Sequence, residues 1–415
     1  MQYVLCFMIL MTGAVITIRS GFVQRYLGRS FFAAFQKEKG KEGISGWGAL
    51  CTTLAATIGT GNIVGVATAV ALGGPGALVW MLLSAFLGMA VKFAECALAV
   101  HQHGGPYIYI ERKWGKTLAY LFALCGAATG SISMGTTLQM DSMLGVLDPS
   151  RQYGAFSFRS LMICAVVAVL AGLVLRGGHK GISHFCEAII PVMGIGYIVC
   201  CGIILFKFRV DLPEALSLIW RSAFSPRAAL GGAAGSIFQT VSIGVSRGIL
   251  SNEAGLGSAP IAAAAAKDDN AMRQGQIAML GVFVDTVIIC SLTGLCVTVT
   301  GAWQASTGAA VPATSFYRGL GQTGVILLAV FLCTFAFTTV VGWYFFASSC
   351  FGYLSPHGEG YFRLFYIAML LLTPWINSDR LWALGDILSA GMALPNLAVL
   401  LVSGKEIYKT VIVKE

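Results

Sequence analysis

The stretch Leu54 to Gly65 has the sequence LAATIGTGNIVG and lies inside a long apolar run. Its centre, Gly59-Thr60-Gly61-Asn62, is built to break a helix. Each glycine costs roughly 1 kcal/mol against alanine in a helix interior, and the Thr60 hydroxyl can bond backbone. In lipid, a broken helix persists only where its freed N–H and C=O groups find protein, water or a ligand. A second such stretch is SIGVSRGILSNEAGLGSAP, from Ser242 to Pro260. Gly244, Gly248, Gly255, Gly257 and Pro260 leave it little continuous helix, with Arg247, Asn252 and Glu253 among them. A half-helix N-terminus offers bare N–H groups and a partial positive charge to an anion. Unwound carbonyls offer oxygen to a sodium ion. The chemistry in prospect is therefore the binding of a small charged solute with a hard cation. The competing reading of GTGN alone is close helix packing, because Gly61 and Gly65 form a G-x-x-x-G.

Other polar residues fall within apolar runs. Gln139, Gln239, Ser242, Thr334, Thr338, Thr339 and Trp343 are of this kind. FTTVVGW puts Thr339 and Trp343 four apart, on one helix face. With the GTGN backbone they could line a small pocket, polar on one side and apolar on the other. Lys92 and Glu95, three apart, are placed to pair with each other as a packing or interface pair. Asp285 is read as a buried partner of Arg247 or part of a gate, with the pairing preferred. Glu253 and Asp386 are further carboxylates in apolar surroundings.

The elements that must position these residues are membrane spans. The chain has 415 residues, 57% hydrophobic and 11% charged, where a soluble domain carries about 25% charged residues. The net charge of +9 does not suggest nucleic acid, since the basic residues sit in short loops between apolar runs. Twelve cysteines include no C-x-x-C and mostly lie inside apolar runs as packing residues. Neither a zinc-ligand spacing nor a phosphate-binding loop is present.

Eleven apolar segments are expected, at 1–18, 48–72, 77–101, 117–146, 158–176, 183–206, 231–266, 276–300, 323–351, 361–377 and 381–403. Each is near or above the ~20 residues that span ~30 Å of hydrocarbon. The first resembles a signal peptide in length but lacks a basic start and an A-x-A site, so it is expected to be a retained span. With the loop holding Arg19, Arg25, Arg29, Lys37, Lys39 and Lys41 placed inside, most of the loop Lys and Arg fall inside too. That puts the N-terminus outside and the C-terminus in the cytoplasm. The stretch 207–228 goes against this rule with Lys207, Arg209, Arg221 and Arg227, and is expected to hold an interfacial amphipathic helix.

Leaving the first segment aside, the other ten divide into two fives, and each five begins with an interrupted segment. An odd-numbered repeat places its two copies in opposite orientations. Corresponding breaks in two inverted halves point to a transporter site at the bilayer midplane. The expected division is 1–18, an extra N-terminal transmembrane helix; 19–47, a cytoplasmic loop; 48–206, the first five-helix repeat; 207–230, an extracellular connection; 231–403, the second repeat; and 404–415, a cytoplasmic tail.

The runs ALCTTLAATIGTGNIVGVATAVALGGPGALVWM, GMAVKFAE, GILSNEAGLGSAPIAAAAA, FVDTVIICSLTGL and FAFTTVVGWYFF resemble the alanine or glycine:cation symporter family, the sodium:alanine symporters. The likeness runs from about Arg19 to the C-terminus, and SNEAGLGSAPIAAAAA carries it most specifically. It implies an all-α polytopic membrane protein of about 11 transmembrane helices, with a LeuT-type 5+5 inverted repeat and one extra N-terminal helix. It also implies a monomer in a prokaryotic plasma membrane. Carried over residue by residue, the amides of Thr60 and Gly61 would meet a substrate carboxylate, with Asn62 bracing the break. Gln139 would face the substrate, while Thr339 and Trp343 would close a pocket sized for alanine or glycine. Sodium would take the carbonyls of Ala55, Ile58 and Phe335 and the hydroxyls of Thr338 and Thr339. The implied function is sodium-coupled import of small neutral amino acids by alternating access, with proton coupling as the nearest alternative and a passive channel behind it. An enzyme is disfavoured, since no nucleophile, base and orienter recur at useful spacing. Two departures stand out: the loop from His101 to Tyr109 is short, and Asp141 stands where the family leads one to expect Asn.

Overall fold

The computed structural model describes residues 2–36, 43–148, 157–224, 237–376 and 378–407. Lys37, Lys39, Lys41, Arg151, Arg227, Lys409 and Lys414, together with 231–236 and most of the 404–415 tail, lie outside the described residues. Among the described residues the regular structure is helical, apart from one isolated bridge between Ile44 and Ala266.

The first segment forms α1 (Gln2–Arg19). The chain then bends by 71° into a short turn of 3-10 helix and α2 (Leu27–Phe35). The stretch 19–47, expected as a loop, thus carries a helix. Phe31, Phe32 and Phe35 stay exposed on it, and Arg25 and Arg29 lie over the Tyr26 ring, as suits a helix lying in the membrane interface. Segment two forms α3 (Gly46–Thr57), a π-helical turn at Gly61–Gly65 and α4 (Val66–Gly73), with the halves bent by 57°. Ser45 caps α3 by accepting the Gly48 N–H at 2.8 Å. Segment three is α5 (Ala77–His101), with the expected bounds. α6 (Pro106–Trp114) follows, with Pro106 in its first turn.

Segment four divides into α7 (Lys116–Ile132) and α8 (Thr137–Leu147), a break absent from the sequence expectation. α9 (Phe158–Leu175) and α10 (Gly178–Lys207) complete the first half. α11 (Leu212–Phe224) is the amphipathic helix expected within 207–228. Segment seven is broken as expected, into α12 (Ile237–Asn252) and α13 (Ala259–Ala264). α14 (Ala271–Val282) and α15 (Ser291–Val299) are joined through a π-helical stretch at Phe283–Cys290. The short α16 (Ala302–Ala305) leads to α17 (Ala310–Leu354), which turns at Gly321, φ 68°, just before the expected start at 323. α18 (Glu359–Leu372) and α19 (Ser378–Ile407) end the described chain.

All eleven expected segments contain helix. By length and apolarity, seven helical stretches among the described residues are able to cross a bilayer, or nine if the bent pairs α1/α2 and α3/α4 each count as a span. The packing is reciprocal between the two fives. α5 packs on α14, α7 on α17 and α9 on α18, while α10 lies on α17 as α19 lies on α7. Such exchange of partners is what two halves related by an in-plane two-fold axis produce.

Small residues let the breaks sit deep in this bundle. A Cβ at Gly244 would stand 2.3 Å from the Ala77 carbonyl oxygen, and one at Gly248 would stand 2.1 Å from Ser84 Oγ. α12 therefore meets α5 backbone to backbone, on glycines one turn apart. Gly244→Val is expected to destabilise the protein by about 1–3 kcal/mol through overpacking. Gly145→Ala, whose added carbon meets nothing within 4 Å, should change little. Thermal unfolding of the two variants in detergent checks this; equal midpoints would contradict the close approach.

Candidate binding site at the paired helix breaks

α3 ends because the backbone at Ile58 leaves helical geometry, φ −75° and ψ 90°. Asn62 reaches back across the gap: its Oδ1 accepts the Gly59 N–H at 3.0 Å. Its Nδ2 donates to Asp285 Oδ1 at 2.6 Å and to Ser251 Oγ at 3.0 Å. One side chain thus holds the first break open and fastens it to both the second break and the π-helical turn of α14–α15. Ser251 and Thr286 each donate a hydroxyl to Asp285 Oδ2 at 2.7 Å. Asn62, Asp285 and Thr286 are fully buried. Asn62 braces the break as expected, but its side chain is committed to this network.

The expected partnership of Asp285 with Arg247 is not what the structure holds. Asp285 is satisfied by Asn62, Ser251 and Thr286, and Arg247 instead lies within electrostatic reach of Asp386. The π-helical turn, which the sequence reading lacked, explains the difference. It places Asp285 toward the breaks.

At the second break, Glu253 takes φ 53°, a left-handed backbone that is costly for a residue with a side chain. Its carboxylate accepts the Trp343 Nε1–H at 3.1 Å and the Ser258 hydroxyl at 2.7 Å. Lys92 donates to the carbonyls of Asn252 and Glu253 at 2.9 and 3.2 Å. It therefore caps the C-terminal end of α12, where carbonyls lack partners and the helix dipole is negative. The expected Lys92–Glu95 pair is present only at 3.9 Å. Glu95 accepts from Asn396 at 2.8 Å, and Asn396 also donates to the Gly255 carbonyl at 2.9 Å. Both members of the pair expected from sequence thus serve the second break.

A cavity of about 70 Å³ opens between the two breaks. Thr60, Gly61, Asn62, Gln139, Thr339 and Trp343 all line it, so the structure brings together every residue expected on the substrate side. The Thr60 hydroxyl donates to Gln139 Oε1 at 3.3 Å. Gly61 is exposed to the cavity, with nothing within 4 Å of where a Cβ would stand. Gly59 also lines the cavity, but a Cβ there would stand 2.9 Å from Thr339 Oγ1. Trp343 is held from behind by Gly130 and Gly135, where added Cβ atoms would collide with α17. The break between α7 and α8 makes this room. Its signal in the sequence is the glycine- and hydroxyl-rich run GSISMGTT.

Of the expected ion ligands, Thr339 faces the end of α3, whereas the Thr338 hydroxyl lies 3.8 Å from Met193 Sδ of α10. Thr339 Oγ1 is 3.5 Å from the Ile58 carbonyl and donates to the Phe335 carbonyl at 2.9 Å. Thr338 donates to that same carbonyl at 3.0 Å. Gly342 lets the helices touch beside Ala55, its Cβ position lying 3.1 Å from the Ala55 carbonyl carbon. Sequence reasoning gave Ser251, Glu253 and Trp382 no place in the site and read Arg247 as a partner of Asp285, yet all four line the cavity. Asp141, the departure noted above, does not line it.

The profile of the sodium:alanine symporter family matches residues 1–412. The chain belongs to this family. It is 44% identical to an uncharacterized transporter of Haemophilus influenzae, over 94% of this chain and 88% of that protein. It is 38% identical to the sodium/alanine symporter AgcS of Methanococcus maripaludis, over 97% and 92%. Its fold is similar to that of MhsT, solved in complex with L-phenylalanine, with a TM-score of 0.62 at 13% identity, covering 87% of this chain and 89% of that one. The family is one of transporters, so the cavity belongs to a multi-pass membrane carrier of the LeuT fold and not to an enzyme.

Asn62→Ala would strip two donors from the Asp285 network and leave a buried carboxylate underpaired, at about 1–3 kcal/mol. Amino-acid binding to the purified variant should weaken by roughly tenfold or more. Wild-type affinity in a direct binding assay would show that the brace is dispensable.

Proposed function

We propose that the protein is a sodium-coupled symporter that imports small neutral amino acids, alanine or glycine, by alternating access. The observation that carries this reading is the size and lining of the central cavity. About 70 Å³ is room for roughly two waters at ~30 Å³ each, which suits a small solute and not a bulky one. The half-helix that begins at Thr60 and Gly61 would receive the substrate carboxylate on backbone N–H groups. Gln139 would face its polar end, and Trp343 would limit the side chain.

Sodium would take the carbonyls of Ala55, Ile58 and Phe335 and the hydroxyls of Thr338 and Thr339. Those oxygens come from α3 and α17, so the ion would tie the two helices together and complete the pocket at the same time. Each ligand then favours the state that binds the other, a reciprocal coupling. The proposed organisation is a first repeat within 48–206 and a second within 231–403, with the N-terminus outside and the C-terminus in the cytoplasm of a prokaryotic cell. The proposed working unit is a monomer.

Uptake of labelled alanine into proteoliposomes tests the reading, with an inward sodium gradient, a proton gradient alone, or neither. Sodium-driven accumulation is expected; equal uptake without sodium would overturn symport, and accumulation on protons alone would assign the coupling to protons. Thr338→Ala should raise the sodium concentration for half-maximal uptake by about tenfold, the equivalent of one weakened ligand. An unshifted sodium curve would remove Thr338 from the ion site. Trp343→Ala should admit larger side chains in competition assays, whereas unchanged selectivity would remove it from the pocket wall.

A further inference from the structure

A second cavity, of about 440 Å³, lies between α9 and α18. Its floor is made of small residues on one face of α9: Ala165, Ala168 and Gly172. Ile367 of α18 closes it, 3.4 Å from where a Gly172 Cβ would stand. Val169 and Leu364 flank it and are largely exposed. From Ala165 to Arg176 the groove follows α9 for about 16 Å, at 1.5 Å per residue.

An apolar wall alone says little on a membrane protein. The end of this groove says more, because Arg176 and Arg363 both line it. Arg176 follows the last turn of α9, and Arg363 sits in the second turn of the antiparallel α18. Among the described residues, no carboxylate lines the cavity. Glu359 stands one turn before Arg363, and the exposed Lys180 lies four residues beyond Arg176. Two guanidinium groups at the mouth of an apolar slot concentrate positive charge where an anionic group can meet it. Their planar donors match phosphate oxygens in bidentate geometry. Basic pockets between membrane helices are suited to anionic headgroups.

We propose that this groove is a binding site for an anionic phospholipid, with one acyl chain along the Ala165–Gly172 floor and the phosphate between Arg176 and Arg363. The test is native mass spectrometry of the full chain, released from vesicles of equal phosphatidylglycerol and phosphatidylcholine. A retained phosphatidylglycerol adduct is expected, favoured about tenfold over phosphatidylcholine. The preference should vanish in Arg176→Gln/Arg363→Gln, and Ala168→Leu, which fills the floor, should reduce adducts of both lipids. The wild-type competition needs no variant, and Arg176→Gln alone serves if the double variant does not fold. Equal retention of both lipids would overturn the proposal. So would displacement by millimolar inorganic phosphate, or a lipid-free mass of two chains with the groove as their interface.

Discussion

A helix interrupted in lipid leaves N–H and C=O groups without intrahelical partners, and each unpaired group costs several kcal/mol. The centre of this protein is arranged around that constraint. Asn62 pairs with the broken backbone at Gly59 on one side and with Asp285 and Ser251 on the other. The first break, the second break and the π-helical turn of α14–α15 therefore share one buried network. Such a network rigidifies when fully satisfied and is costly when it is not. Its geometry places Thr60 and Gly61 in the lining of the cavity.

The second break is held by different means. Its exposed carbonyls are met by the Lys92 ammonium, and its loop by Asn396, which bridges the Gly255 carbonyl and Glu95. Glu253 stays in a left-handed conformation because three neighbours fix it: Lys92 at its carbonyl, Ser258 and Trp343 at its carboxylate. Through the last of these, the second break also orients the indole that walls the cavity. The two breaks are thus coupled twice, through Asn62–Ser251 and through the walls of the shared pocket. A solute that bridges them acts on elements from both halves of the fold, which is the requirement for a carrier that moves one half against the other.

Much of this was legible in the chain. GTGN and SNEAGLG break helices through local backbone preference, and apolar runs of known length must be helical in lipid. The helical character of the expected segments, both breaks and the meeting of Thr60, Gly61, Gln139, Thr339 and Trp343 at one cavity follow from those local rules together with the resemblance to a known family. The break between α7 and α8 went unread although GSISMGTT, with Gly130 and Gly135, disfavours helix there. The helix Leu27–Phe35 and the π-helical turn at Phe283–Cys290 were illegible, because each is a local feature that tertiary packing selects and toward which propensity alone is nearly neutral.

The sequence by itself determined that the chain is a membrane bundle with two interrupted helices in corresponding positions, because hydrophobic length and glycine content act locally. Only the tertiary structure decided which charges meet. Lys92 is three residues from Glu95, yet its short bonds go to carbonyls of Asn252 and Glu253, 160 and 161 positions away. Asp285 serves Asn62, Ser251 and Thr286 in place of Arg247. A buried charge is placed by whatever partner lowers its desolvation cost most, and that partner is fixed by how helices pack, which no spacing along the chain encodes.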